Sequence, residues 1–488
     1  MIIYILLGVC LVSALAPFVV KSSRSILTLA FLASSAIFIV SLVATIPVFA
    51  GHVIESTYWY VDAFAALMVL LIGFIQWTAS MTSMHYLAEE EREGVVGVPA
   101  MRRYFFLMGL FVFSMLLTVV SNNLGFMWIA LEATTLATTL LVAFYQQKGS
   151  LEAAWKYLIL CSTGISLGLI GLLLTYYAAS STGLLEGLHA TNWTDLMAIA
   201  PSLSPEFLRI AFIFILIGYG TKVGLVPMHA WLPDAHSRAP SPISGMLSGI
   251  LLNTALFAIL RFKVLVDGAL GSSAWTGELL LVFGALSCAI PAAFILLQKD
   301  YKRLLAYSSI EHMGIIVFSF GLGAVGAFAA VIHMVGHALA KSALFFAAGN
   351  ILLRFKSTKF ERVGGVMRTL PYTGGLFLAL LLALLAVPPS PIFGSELLIV
   401  SQSIVNHPWW TLVIVFSLAL VFAGFVRSCM AMLFAPNMAK RDDVSVGEQW
   451  NHTHTAIVLH LFFILAFTGF LIMPESRAII ENITYAIF

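Results

Sequence analysis

Gly218-Tyr-Gly-Thr-Lys222-Val-Gly-Leu-Val-Pro227 closes an apolar stretch that begins at Ala211, and it sets a lysine among residues that otherwise belong in lipid. A charged side chain at the centre of a bilayer costs about 2.5 to more than 10 kcal/mol, so an ammonium group there marks a functional position. Further along, Ala386-Val-Pro-Pro-Ser-Pro-Ile-Phe-Gly-Ser-Glu396 repeats the pattern, with glycine and prolines interrupting an apolar segment beside an ionisable group. Broken helices free backbone groups that lipid cannot satisfy, and they persist only where protein or water covers them. Glu132 and Lys341 stand in similar surroundings. Together the four positions outline a path for protons or ions.

The rest of the chain agrees with a membrane setting. Its 488 residues are 60% hydrophobic and 10% charged, and the mean hydropathy is +0.99. Such a composition describes an all-α polytopic membrane protein, a single membrane domain over 1–488. A net charge of +2 gives no electrostatic basis for binding nucleic acid. Cys10, Cys161, Cys288 and Cys429 are scattered singly, without the paired spacing that holds zinc or iron-sulfur clusters. No metal and no redox cofactor are expected. The first apolar run, Ile2 to Val20, lacks a basic start and leads straight into further apolar segments, which predicts a retained first helix.

About fourteen segments reach the roughly 20 residues needed to cross a hydrocarbon core. They begin near Ile2, Ile26, Trp59, Tyr104, Leu124, Trp155, Phe207, Pro240, Gly277, Arg303, Ala324, Tyr372, Trp409 and Thr455. Most Lys and Arg residues fall in loops after odd-numbered segments, among them Arg102, Arg103, Lys148, Lys299, Lys302, Arg303, Arg354, Lys356, Lys440 and Arg441. The opposite loops hold only Arg209, Arg261, Lys263 and Arg477, while Lys222, Lys341 and Arg427 lie inside segments. Under the positive-inside rule both termini, Phe488 included, face outward from a bacterial or archaeal cytoplasmic membrane. Glu89, Glu90, Glu91 and Glu93 read as a solvated loop face.

The two interrupted segments, the seventh and twelfth, are five apart. Matching interruptions point to an internal repeat with its site near the midplane, and an odd offset inverts the second copy. Residues 104–263 and 277–435 are therefore expected to be inverted five-helix repeats. On one further segment, His333, His337 and Lys341 recur at i, i+4 and i+8, which places them on one helical stripe.

Three stretches carry a family resemblance: Asn123-Leu-Gly-Phe-Met-Trp-Ile-Ala-Leu-Glu132, Gly220-Thr-Lys222-Val-Gly-Leu-Val-Pro-Met-His229-Ala-Trp-Leu-Pro-Asp234-Ala-His236, and Asp300-Tyr-Lys-Arg-Leu-Leu-Ala-Tyr-Ser-Ser309. They resemble the antiporter-like proton-translocating subunits of respiratory complex I, multisubunit cation/proton antiporters and membrane-bound hydrogenases, over roughly Trp59 to Arg427. Ser309-Ile-Glu-His312-Met-Gly and Val387 to Glu396 are most similar to hydrogenase-4 component F. The resemblance implies that Glu132 and Lys222 are the buried carboxylate and lysine pair, that His333, His337 and Lys341 form the polar face of the eleventh helix, and that Glu396 ends the half-channel toward the outside. His312 falls on the tenth helix, the repeat-mate of the one bearing Glu132. One position departs from the pattern: the family often has lysine or histidine on the eighth helix, and Asn253 stands there.

These residue types suit proton transfer. Desolvation weakens a buried lysine's hold on its proton and a nearby carboxylate restores it, so a changing Glu132–Lys222 separation would switch the lysine. Histidine relays because its ordinary pKa is near neutrality and both ring nitrogens take part. Structural alternatives exist for each: a static ion pair for Glu132 and Lys222, a helix cap for Glu396, a core histidine for His312, a snorkelling side chain for Lys341, and a structural network in a basic-side loop for His229, Asp234 and His236. The expected partners are the other membrane and peripheral subunits of a hydrogenase or complex I-like assembly, membrane lipid, and protons, with sodium as the alternative ion. A complex I or sodium/proton antiporter subunit, or a non-pumping scaffold for a redox arm, would share most of these features.

Overall fold

The computed structural model describes residues 1–435 and 447–487. Lys440, Arg441 and Phe488, which entered the orientation reading, lie outside the described residues. Apart from a two-stranded ribbon pairing Ile54–Glu55 with Tyr60–Val61, the fold is helical.

α1 (Ile2–Leu15) and α2 (Ser23–Phe49) lead into α3 (Ala63–Arg92), whose first turn Asp62 caps by accepting from Ala65 N–H at 2.9 Å. α4 (Val98–Val120), α5 (Leu124–Val142) and α6 (Lys148–Ser180) follow, then a short α7 (Trp193–Ala198), α8 (Pro205–Val223), α9 (Trp231–Arg238) and α10 (Ser241–Met246). A π-helical turn, Leu247–Leu251, joins α10 to α11 (Leu252–Leu270). α12 (Ala274–Ile295), α13 (Tyr301–Gly321) and α14 (Ala324–Phe355) complete the interior, and α15 (Val366–Thr369), α16 (Pro371–Leu384), α17 (Pro391–Asn406), α18 (Pro408–Phe434), α19 (His452–Leu471) and α20 (Pro474–Tyr485) close the chain.

Among the described residues, eleven helices are long and apolar enough to cross a membrane. They divide into an interior and a rim. Residues 241–263 are buried throughout and α14 is mostly buried, whereas α2 and α18 leave much of their length partly or fully exposed. The rim turns Leu32, Ile39, Phe416 and Phe422 outward, as lipid contact requires.

Both expected breaks are present, and protein covers their backbone. α8 ends at Gly224, whose φ of +82° suits only glycine, and an added Cβ would meet Leu232 at 2.6 Å. Trp231 Nε1 donates to the freed Thr221 carbonyl at 2.8 Å, and Val226 N–H donates to Ser287 Oγ at 2.9 Å. At the second break, between α16 and α17, Ser390 Oγ donates to Ala383 O at 2.6 Å and Thr468 Oγ1 to Pro389 O at 2.8 Å. These bonds replace the partners that lipid cannot offer.

Several expectations from the sequence are corrected here. Arg261 and Lys263 are not loop residues: both are buried in α11, Arg261 in a bidentate pair with Asp62 at 2.6 and 2.9 Å and Lys263 against Asp267 at 2.6 Å. Lys302 is likewise buried on α13, donating to Ala239 O at 2.8 Å. Glu89, Glu90 and Glu91 belong to the last turns of α3, where Glu90 is buried and accepts from Tyr145 Oη at 2.6 Å. Asp234 and His236 sit on α9 rather than in a loop. Arg427 does lie inside a helix, α18, where it is exposed and lines a cavity with Lys299 and Glu361.

Candidate proton path through the helix bundle

The ionisable side chains fall into two groups. In the first, Lys222 is fully buried near the end of α8, and its ammonium group donates to Thr135 Oγ1 and Tyr157 Oη, each at 2.7 Å. Tyr157 Oη also lies 2.7 Å from Thr138 Oγ1, which extends the hydroxyl chain along α5. Close approach of α8 to α6 makes this possible: a Cβ on Gly218 would meet Gly164 O at 2.6 Å. Glu132, one turn before Thr135, accepts from Ser162 Oγ at 2.7 Å, and its other carboxylate oxygen is buried with no protein donor among the described residues. Glu132 and Lys222 therefore form no direct ion pair here; hydroxyls stand around the lysine.

The second group is tighter. His312 on α13 and His333 on α14 face each other, Nδ1 to Nε2 at 2.9 Å, and His333 Nδ1 lies 3.0 Å from Ser395 Oγ on α17. The neighbouring Glu396 brings a carboxylate oxygen within 4.8 Å of both imidazoles. His337, one turn from His333, has its ring centroid 5.2 Å from that of His312, and neither ring nitrogen has a protein partner among the described residues. Lys341 donates to Leu305 O at 2.8 Å and to Ser308 Oγ. The structure thus brings His312, His333, His337 and Glu396 together and ties Lys341 to the same helix, α13.

Sequence reasoning passed over one residue. Glu311 is fully buried on α13, three residues after Ser308, and its Oε2 lies 3.7 Å from His312 Nε2. Neither of its oxygens has a protein hydrogen-bond donor among the described residues. Its signal was available: an acidic residue inside an apolar segment is as costly as Glu132. Each lysine bonds a hydroxyl three residues from a carboxylate, in opposite order along the chain: Thr135, bonded by Lys222, follows Glu132, whereas Ser308, bonded by Lys341, precedes Glu311.

Between the groups runs the buried 241–263 stretch. Ser248 Oγ on its π-helical turn lies 2.6 Å from Ser309 Oγ of α13. Asn253 Nδ2 donates to Gly249 O at 2.9 Å, while Oδ1 has no protein donor among the described residues. Buried polar atoms in folded proteins are almost always hydrogen-bonded to protein or to ordered water. Glu132, Asn253, Glu311 and His337 each carry a buried polar atom without a protein partner among the described residues. The bonds of Asp234 belong elsewhere. Its carboxylate takes Lys156 at 3.1 Å and Arg303, which ties α6, α9 and α13 together at one end.

Comparison with known proteins identifies the family. The profile of the NADH:quinone oxidoreductase/Mrp antiporter transmembrane family matches residues 121–422, which hold both groups. The chain belongs to that family. This antiporter-like protein is 44% identical over 354 residues to a hydrogenase-4 component F homolog of Methylacidiphilum infernorum, covering 72% of the chain and 74% of that relative. It is 31% identical to hydrogenase-4 component B of Escherichia coli, over 74% of the chain and 51% of that longer protein. NADH-quinone oxidoreductase subunit N of Desulforudis audaxviator is 29% identical, over 75% of the chain and 71% of that relative. The fold matches a chain of the membrane-bound sulfane sulfur reductase, an archaeal respiratory membrane complex, with a TM-score of 0.86, 22% identity, and coverage of 99% and 97% of the two chains.

Proposed function

We propose that this antiporter-like membrane subunit translocates protons in a membrane-bound hydrogenase or formate hydrogenlyase-type complex, driven by redox chemistry in partner subunits. The observation that carries the reading is the succession of ionisable groups within the bundle: half-buried Glu132 on α5 and buried Lys222 beside the first break, then buried Lys341, Glu311, His337, His312 and His333 on α13 and α14, then half-buried Glu396 beside the second break. Burying this many charge-bearing groups opposes stability unless they are used. The hydrogenase-4 relative supports the parent complex, because it is the more similar of the hydrogenase and quinone-oxidoreductase relatives.

In this account Lys222 holds its proton while Glu132 is near and passes it when Glu132 withdraws toward Ser162, since Thr135 and Tyr157 accept hydrogen bonds without neutralising charge. Lys341 and Glu311 repeat the switch. His337, His312 and His333 relay to Glu396, the group at the outer half-channel. We read 104–263 and 277–435 as inverted repeats within fourteen crossings, with α1, the α8–α9 pair and the α16–α17 pair joining the eleven long helices. The end that gathers Lys156 and Arg303 is cytoplasmic under the positive-inside rule, and both termini face outward.

A scaffold without transport is the second reading. The amide of Asn253, which cannot ionise, keeps it in view. Sealed vesicles holding the assembled complex and a lumenal pH dye separate the two: removing the charge of Lys222 stops redox-driven pH change if the chain carries protons and leaves it intact if the chain only anchors.

A further inference from the structure

His312, His333 and Glu396 belong to three helices, α13, α14 and α17, yet one donor atom of each lies within 4.8 Å of the other two. The facing imidazole nitrogens are 2.9 Å apart. Two histidine nitrogens on one tetrahedral zinc, each at about 2.0–2.1 Å, sit roughly 3.3 Å apart. Binding therefore asks the rings to part by only a few tenths of an ångström, while the carboxylate, its oxygen within 4.8 Å of the nitrogens, moves in by up to about 1.5 Å.

The surroundings are also those of a metal site. Imidazoles that ligate a metal turn their other nitrogen to an oxygen, which fixes the ring and raises its basicity. Here His333 Nδ1 is 3.0 Å from Ser395 Oγ, and His312 Nε2 is 3.7 Å from Glu311 Oε2. Burying a dication demands compensating charge, and Glu396 and Glu311 supply two negative charges for two positive ones. Glu311, whose oxygens have no protein donor among the described residues, thereby acquires a charge partner. The donor set decides the class of ion. Two imidazoles and one carboxylate with a fourth position open to water or to His337 suit a borderline transition metal, whereas magnesium, calcium and sodium take oxygen shells.

We propose that His312, His333 and Glu396 form a binding site for a dication of the zinc class, with Ser395 and Glu311 behind the two imidazoles. An ion there would occupy the nitrogens and the carboxylate that a proton would need. The binding itself does not rest on the translocation reading.

The test uses the assembled complex in detergent, stripped with a chelator and titrated with Zn²⁺ against a chromogenic competitor. Wild type should bind one equivalent that His333→Ala and Glu396→Gln lose, and Glu311→Gln should weaken it by roughly 10–100-fold. Equal zinc binding by wild type and the assembled His333→Ala complex would overturn the proposal. X-ray absorption on the wild-type zinc complex needs no variant: two imidazoles and a carboxylate support the site, and sulfur or all-oxygen ligation overturns it. Zinc that binds in this way without slowing proton movement would leave the site standing and count against the translocation reading.

Discussion

His312 Nδ1 stands 2.9 Å from His333 Nε2, across the contact between α13 and α14. One proton between two nitrogens makes a donor of one ring and an acceptor of the other, and exchange of these roles moves a proton from helix to helix. Ser395 continues the line to α17 and Glu311 approaches it from the other side.

Glu311→Gln should therefore impair transport, although the sequence alone did not single this residue out. The substitution keeps the shape but removes the ionisable carboxyl beside His312. Redox-linked proton movement in vesicles should fall at least about tenfold, a rise of roughly 1.4 kcal/mol in the transfer barrier. Wild-type rates from an assembled variant would remove Glu311 from the path.

Asn253→Leu tests the link between the two groups. Leucine is close in size, so the fully buried site should still pack, but it cannot hold water against the orphaned Oδ1 or bond Gly249 O. Proton movement should drop several-fold while redox turnover and assembly persist. Unchanged movement would place communication between the groups elsewhere.

Much of this was legible in the amino-acid sequence. Lys222, Glu396 and the His333–His337–Lys341 stripe stood out because charge within an apolar segment, and proline beside it, are costly signals. Asp234 was expected to be structural and is held by Lys156 and Arg303. Three things were not legible. Hydroxyls such as Thr135, Tyr157 and Ser308 are common in membrane helices and give no sign of which lysine they will meet. The π-helical turn at Leu247–Leu251, Leu-Ser-Gly-Ile-Leu, reads like any apolar helical stretch in the sequence. Arg261 and Lys263 looked like loop residues because a charge tally cannot see that Asp62, 199 residues away, comes to meet the first of them.

That Arg261–Asp62 pair carries its own expectation. The guanidinium also stacks near Trp193 at 4.6 Å and Phe257 at 4.7 Å, so Asp62→Ala leaves a buried charge unpaired and a helix uncapped. Breaking such a pair costs about 3–5 kcal/mol. Thermal unfolding of the detergent-purified complex should show a clearly lowered midpoint; an unchanged midpoint would mean that water reaches the guanidinium.

Sidedness is open to labelling with a membrane-impermeant thiol reagent, since all four native cysteines are buried. Arg362 and Glu186 are both exposed, in loops at opposite ends of the bundle. Arg362→Cys should label only from the cytoplasmic face and Glu186→Cys only from the outside. The reverse pattern would invert the proposed orientation.

The central claim is that protons pass through this chain, and the charge of Lys222 is its most exposed point. The decisive measurement is redox-driven pH change in sealed vesicles containing an assembled Lys222→Met complex, with Glu132→Gln alongside. The account predicts that Lys222→Met abolishes the pH change while redox turnover continues, and that Glu132→Gln reduces it only in part, because the lysine still exchanges its proton. A full wild-type pH change from the intact Lys222→Met complex would contradict it.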